Sequence, residues 1–210
     1  MAKQFRQPSG PAGSRIGIIM NNGNEILYDF TASAMQLQPD ERILEIGFGN
    51  GKFFNKLFSK ANNLHISGID FSDIMLKEAR EKNQAAIANG KLQLEFGNSE
   101  ELPFADNSFD KVFCINVVYF WDDPLKHLQE INRVLKPGGQ FYATIRSKST
   151  MEMLPFIQYG FITYSEEDWK SVIHKTPLRF VKSERINEPT IEYDDKPFQM
   201  YSLCLVAEKK

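Results

Sequence analysis

The chain has 210 residues, 42% hydrophobic and 25% charged, a balance that suits one globular domain with a full core and excludes a disordered chain. A formal net charge of −2 with no long Lys/Arg run gives no electrostatic case for nucleic acid or an anionic membrane as partner. Three scattered histidines and two lone cysteines lack metal-ligand spacing, so no metal is expected.

Residues 1–15, rich in Pro, Gly and polar side chains, predict a mobile or loosely docked arm, with no apolar run of the secretory-signal kind. Ile18, Ile19, Leu27, Phe30, Ala34 and Leu37 then predict one or two amphipathic helices broken near Asn21–Asn24. Such a segment either covers the mouth of a sheet or is a plain outer packing helix. Ile43, Leu44 and Ile46 run into Gly47, Gly49 and Gly51, a pattern that reads as buried strand, tight turn and helix start. Glycines bend the backbone there and let a ligand approach, with a carboxylate or a ribose as natural occupant at the helix start. The spacing is GxGxG rather than the dinucleotide form GxGxxG.

Phe53, Phe54, Leu57 and Phe58 recur at helical spacing and are expected in the core. A second strand over 64–69 ends at Asp70, about 20 residues past the glycines, where α/β nucleotide sites place an acid for ribose hydroxyls. Residues 72–88 predict a helix with Met75, Leu76, Ala79 and Ile87 inward, closed by Asn89-Gly90. Leu92, Leu94 and Phe96 alternate as a third strand, and Gly97-Asn98-Ser99-Glu100 follow at its carboxyl end, where open parallel sheets bind ligands.

Residues 109–118 predict a fourth strand buried on both faces, with Asn116 either satisfying backbone groups or lining a cleft. Tyr119-Phe120-Trp121 either stack on a planar acceptor or join the core. Asp123-Pro124 open a helix with an inner stripe of Leu125, Leu128, Ile131, Val134 and Leu135, stopped by Lys136-Pro137-Gly138-Gly139 before a fifth strand over 140–145. The run Met151, Met153, Leu154, Phe156, Tyr159, Phe161 and Tyr164 predicts a satellite core or a substrate cover. Ser165 opens a last helix, and strands near 178–186 and 198–207 close the chain. Five strands alternating with helices give an α/β, doubly wound parallel sheet. The expected layout is one domain: arm and helical cap over 1–40, cofactor-binding core over 41–146, cover over 147–164, helix and strand pair over 165–210. The apolar settings of Cys114 and Cys204 suit buried free thiols in a cytoplasmic protein. The most apolar run, 112–121, is shorter than the roughly 20 residues of a membrane span.

Leu44-Glu45-Ile46-Gly47-Phe48-Gly49-Asn50-Gly51, Gly68-Ile69-Asp70-Phe71-Ser72, Glu100-Glu101-Leu102-Pro103-Phe104, Ser108-Phe109-Asp110 and Arg133-Val134-Leu135-Lys136-Pro137-Gly138-Gly139 together resemble the class I S-adenosylmethionine-dependent methyltransferases. The resemblance spans roughly 43–145; Met20-Asn21 and Asn24 are similar to the cap of some members. It implies a Rossmann-like, mostly parallel seven-stranded sheet, the last strand antiparallel beside the fifth, and S-adenosylmethionine as cofactor. Carried over, Glu45 and the loop of Gly47, Gly49 and Gly51 would hold the methionine part, and Asp70 the ribose. Phe71 and Met75 would lie by the adenine, Asn98 and Ser99 at its edge, and Asn116 along the cleft. Asn98 stands where many members have Asp, so a weakened or rearranged contact to the adenine amine is expected rather than a lost site.

The expected activity is methyl transfer to a small-molecule acceptor, for which Tyr119, Trp121, Met151, Phe156 and Tyr159 are the contact candidates. His127, His174 and Tyr119 are candidate bases should an oxygen acceptor need one. By resemblance, Ile115-Asn116-Val117-Val118-Tyr119 in place of a proline-rich NPPY-like run argues against methylation of adenine bases or of glutamine. Two other readings stay open: a non-catalytic cofactor- or partner-binding protein of the same fold, and a nicotinamide-dependent oxidoreductase.

Overall fold

The computed structural model describes residues 2–154, 157–193 and 196–210. In order the chain forms α1 (Ala2–Arg6), α2 (Gly10–Met35), β1 (Arg42–Ile46), α3 (Phe54–Phe58), β2 (His65–Asp70), α4 (Asp73–Lys82), α5 (Gln84–Ala88) and β3 (Leu92–Phe96). Then come β4 (Phe109–Ile115), α6 (Pro124–Val134), β5 (Leu135–Arg146), α7 (Lys148–Met151), α8 (Glu166–Ile173), β6 (Leu178–Asn187), β7 (Ile191–Tyr193), β8 (Lys196–Phe198) and β9 (Tyr201–Lys209). Seven strands make one sheet of order β3-β2-β1-β4-β5-β9-β6, while β7 and β8 pair as a separate hairpin. The strands from β3 to β5 run parallel, and β9 is antiparallel to both β5 and β6. This is the mostly parallel, Rossmann-like sheet the motifs imply.

Alternation along each strand feeds two cores. On β4, Val112 and Cys114 join the core under α6 and α8, where Leu128, Ile131, Trp169 and Ile173 pack. Phe113 and Ile115 join the opposite core, with Leu27 and Met35 of α2, Leu57 of α3 and Ala79 of α4. Helices therefore cover both faces, as double winding requires.

Five local expectations are corrected. The arm over 1–15 is helical in α1 and α2, and α2 runs through Asn21–Asn24 unbroken for 26 residues. Its weak helix formers have tertiary partners: Asn21 Nδ2 donates to Asn50 Oδ1, Asn116 Nδ2 to Asn24 Oδ1, and Arg146 Nη2 to the Gly23 carbonyl. Tertiary contact overrides propensity. The helix expected over 72–88 divides at Asn83, whose side chain donates to the carbonyls of Gly51 and Ala79. The fourth strand stops at Ile115, because Asn116 takes φ +57°, and a 3₁₀ turn over Val118–Phe120 follows. The helix after the glycines, α3, has only five residues, too short for its dipole to act as an anion site.

α6 starts as the sequence predicts, with Asp123 accepting from Leu125 N at 3.1 Å and Pro124 in its first turn. Asp123→Ala is expected to lower stability by about 1 kcal/mol through the lost cap. Urea denaturation checks it, and an unchanged midpoint would assign the helix start to Pro124 alone.

Candidate active site

A cavity opens at the carboxyl ends of β1, β2, β3 and β4, under α1 and α2. The chain leaves β1 through Gly47 (φ +74°) and Gly49 (φ +57°), conformations that side chains with a Cβ rarely adopt. A Cβ on Gly47 would stand 2.5 Å from Val117 Cγ2, whereas one on Gly49 would meet nothing within 4 Å. Gly47 thus packs against protein, and Gly49 leaves room on the cavity side.

Two carboxyl groups sit at the ends of neighbouring strands β1 and β2 and line this cavity. Asp70, 7% exposed, accepts from Gly49 N and from Ser72 N, each at 2.9 Å. Burial raises its pKa to about 6, against the lowering effect of backbone donors from Ser72, Gly49 and Phe71. Glu45, 6% exposed, accepts from Tyr28 Oη at 2.9 Å. Burial raises it to about 8, the Tyr28 bond opposing and the Asp70 charge adding to the rise. A cationic ligand would favour ionisation of both.

An acid whose pKa is raised on folding keeps a proton that the unfolded chain has already released, so stability declines as pH climbs from the unfolded to the folded pKa. Above about pH 7, where the opposing effect of His127 has faded, Glu45 is the group still protonated in the fold, and ligand-free stability is expected to fall from there to about pH 8. The slope is about 1.4 kcal/mol per pH unit for one fully differing group. Melting temperatures of the protein and of Glu45→Gln across that range check this. A slope that survives in the variant would put its origin elsewhere.

The roof comes from the N-terminal helices. Gly17, Asn21, Asn24 and Tyr28 lie on one face of α2, and all four line the cavity. Tyr28 is held by the rings of Phe53 (4.8 Å) and Phe113 (5.9 Å). The segment before α2 is tied across the mouth: Gln7 Nε2 donates to the Phe71 carbonyl, Ser72 Oγ to the Pro8 carbonyl, and Arg6 Nη2 to Asp122 Oδ2 at 2.6 Å. Phe120 turns one wall, its ring packed on Phe161 at 4.8 Å.

Of the residues expected at the site, the structure brings Glu45, Gly47, Gly49, Asp70, Phe71, Met75, Asn98, Ser99, Asn116 and Trp121 to this one cavity. Gly51 lies behind it: a Cβ there would stand 2.8 Å from Ala79 Cβ and from Asn83 Nδ2. Tyr119 is buried, its hydroxyl spent on Asn116 Oδ1 and on the backbone of Arg146, and burial raises its pKa far above normal. Met151 is in the core and Tyr159 is 67% exposed, neither at the cavity; Phe156 lies outside the described residues. His174 is exposed at the end of α8. Phe53, expected only in the core, also lines the cavity. Tyr28 and Glu100 were not expected at the site, and His127, expected as a candidate base, lines the cavity as well. His127, 2% exposed, is held neutral by burial with a pKa of about 4, and its Nδ1 lies 2.7 Å from Ser99 Oγ. That setting makes it a weak base.

Among the described residues, no group of three or more His, Cys, Asp or Glu stands placed to hold a metal, and no helix is long and apolar enough to cross a membrane. A family model described as a methyltransferase domain matches residues 44–143. The uncharacterized methyltransferase YdaC of Bacillus subtilis is 31% identical over 132 residues, which cover 63% of this chain and 71% of that protein. A demethylmenaquinone methyltransferase of Listeria welshimeri is 37% identical over 111 residues, 52% of this chain and 47% of that one. A chain of the complex between the Haloferax volcanii Trm112 methyltransferase activator and a methyltransferase superposes with a TM-score of 0.75 at 21% identity, covering 90% of this chain and 93% of that one. At that identity the likeness shows the fold alone.

Proposed function

The chain belongs to the class I S-adenosylmethionine-dependent methyltransferase family, and from that membership we propose that it binds S-adenosylmethionine and methylates a small-molecule acceptor. The observation that carries the reading is the pair of buried carboxyls, Glu45 and Asp70, lining the same cavity as Gly49. S-adenosylmethionine carries a cationic methionine part and a ribose with two hydroxyls, and one desolvated acid suits the first while the other suits the second. In this reading Glu45 and the Gly47–Gly49 turn hold the methionine part, and Asp70 accepts from the ribose hydroxyls. Phe71 and Met75 lie along the adenine, Asn98 and Ser99 at its edge, and Asn116 faces the transfer path. Gly51 acts from behind, by letting α4 close on the loop.

The bound cofactor supplies a methyl group already activated on sulfur. The residues around it have to align the acceptor and exclude water, a task worth roughly 7–11 kcal/mol of barrier when alignment is good. α2 and the tied segment at Arg6–Pro8 provide the exclusion, and Phe120 and Trp121 offer apolar surface to the acceptor. A roofed cavity favours a small molecule over a protein surface as acceptor. The free, buried Cys114 and Cys204 suit a reducing, cytoplasmic setting.

Calorimetric titration with S-adenosylmethionine, S-adenosylhomocysteine and NAD tests the reading. Micromolar binding of the first two and none of NAD is expected. Binding of NAD in their place would move the chain to nicotinamide chemistry.

A further inference from the structure

α2 changes character halfway along. From Leu27 onward it belongs to the core, with Leu27, Tyr28, Thr31, Ala32 and Met35 all buried. Before Asn21 it rests on the protein without interlocking. Ile18 and Ile19 are 58% and 57% exposed, and the inner face there carries Gly13 and Gly17, which lie close against Ile74 and Met75 of α4. Asn21-Asn22-Gly23-Asn24 stand at the join, and asparagine and glycine are poor helix formers.

These four residues are held helical largely from outside. Asn21 Nδ2 donates to Asn50 Oδ1 and Asn116 Nδ2 to Asn24 Oδ1, each at 2.9 Å, and Arg146 Nη2 donates to the Gly23 carbonyl at 2.7 Å. The last tie is itself anchored. Arg146 pairs with Glu188, 4% exposed, through Nε at 3.0 Å and Nη2 at 2.8 Å, and Glu188 accepts from Ser202 Oγ at 2.7 Å. Separating a buried carboxylate from its cation is costly, so the guanidinium is a fixed post and α2 is the part free to leave it.

We propose that residues 21–24 are a latent hinge: when the three ties release, α2 breaks there, its first half swings away as a lid, and its second half stays in the core. The lid carries Gly17 and Met20, and with them Phe5, Arg6 and Pro8 of the preceding segment, all of which line the cavity. Its departure uncovers the cavity from above. The helix–coil balance of four weak residues then sets how often the cavity opens.

Asn22→Ala/Gly23→Ala strengthens the helix at the hinge. Neither residue lines the cavity, and a Cβ at 23 comes no nearer than 3.8 Å to Arg146 Nη2. Arg146→Lys keeps a cation for Glu188 but loses the fork that also reaches Gly23. Amide hydrogen exchange on the ligand-free chain reads the hinge: residues 14–24 are expected to exchange as one group, ahead of 28–35. That group should slow about tenfold in the alanine variant and quicken in Arg146→Lys, while 28–35 move by less than about twofold. Exchange of both halves as one unit, or a 14–24 group unmoved by the alanines, overturns the hinge.

Stopped-flow binding of S-adenosylhomocysteine, followed by tryptophan fluorescence with Trp121 in the cavity wall, reads the lid and rests on the cofactor reading above. The hinge acts on the free and the loaded protein alike. Association and dissociation should therefore both slow about tenfold in the alanine variant and both quicken in Arg146→Lys, with Kd held within about twofold. A change in dissociation alone would make these residues plain supports of the bound ligand and overturn the lid. A parent that binds no S-adenosylhomocysteine would sink the cofactor reading, and the exchange result would still decide the hinge.

Discussion

Asp70→Asn is expected to weaken binding of S-adenosylhomocysteine by about 1.5–3 kcal/mol, some 10- to 150-fold, the range for hydrogen bonds to a charged group. The substitution keeps the shape of the side chain and changes only its acceptors. Asp70 Oδ1 and Oδ2 accept from Ser72 N and Gly49 N, and the asparagine amine must face one of those donors. Either the glycine turn or the start of α4 then loses its anchor, and the ribose loses its anionic acceptor. Stability should suffer far less than binding, because the buried carboxyl is already raised to about 6 and is no strong net stabiliser at neutral pH. Calorimetry and thermal melting on the same sample separate the two. Undiminished affinity would mean that the ribose does not lie at Asp70.

Gly47→Ala should do the reverse and act first on the fold. Its φ of +74° costs an L residue roughly 1–2 kcal/mol, and a Cβ 2.5 Å from Val117 Cγ2 adds an overpacking cost of about 1–3 kcal/mol. At roughly 2–4 °C per kcal/mol for a chain of this size, the melting temperature should drop by about 5–15 °C. Gly49→Ala is the control: the backbone strain is similar, but the new methyl meets no protein atom within 4 Å and points into open space. It should lose affinity while melting within a few degrees of the parent. Equal melting of the two variants would mean that Val117 moves aside.

Much of this architecture was legible because it is written in local patterns. The glycines after Ile46, the acid at 70, and the alternation of β4 between two cores each follow from period and spacing alone. What escaped the sequence depends on partners far along the chain. Asn21–Asn24 look like a helix break until Asn50, Asn116 and Arg146 supply their hydrogen bonds. Asn83 reads as mid-helix until the Gly51 carbonyl comes within 3.0 Å of its side chain. One signal was available: Gly17, Asn21, Asn24 and Tyr28 recur at helical spacing, so these small and polar residues share one face of α2. Met151 and Tyr159 show the opposite error, since apolar character alone cannot tell core and surface from a binding wall.

The two cysteines turn the double-sided core into a pair of clocks. Cys114 and Cys204 are each fully buried, on opposite faces of the sheet, and burial pushes the thiol of each up. A thiol reagent can reach either one only when its own side of the sheet opens. Labelling rates of the single-cysteine proteins would time the opening of the α2 face and the α6–α8 face separately. A ligand gripped beneath α2 should slow the Cys204 clock more than the Cys114 clock.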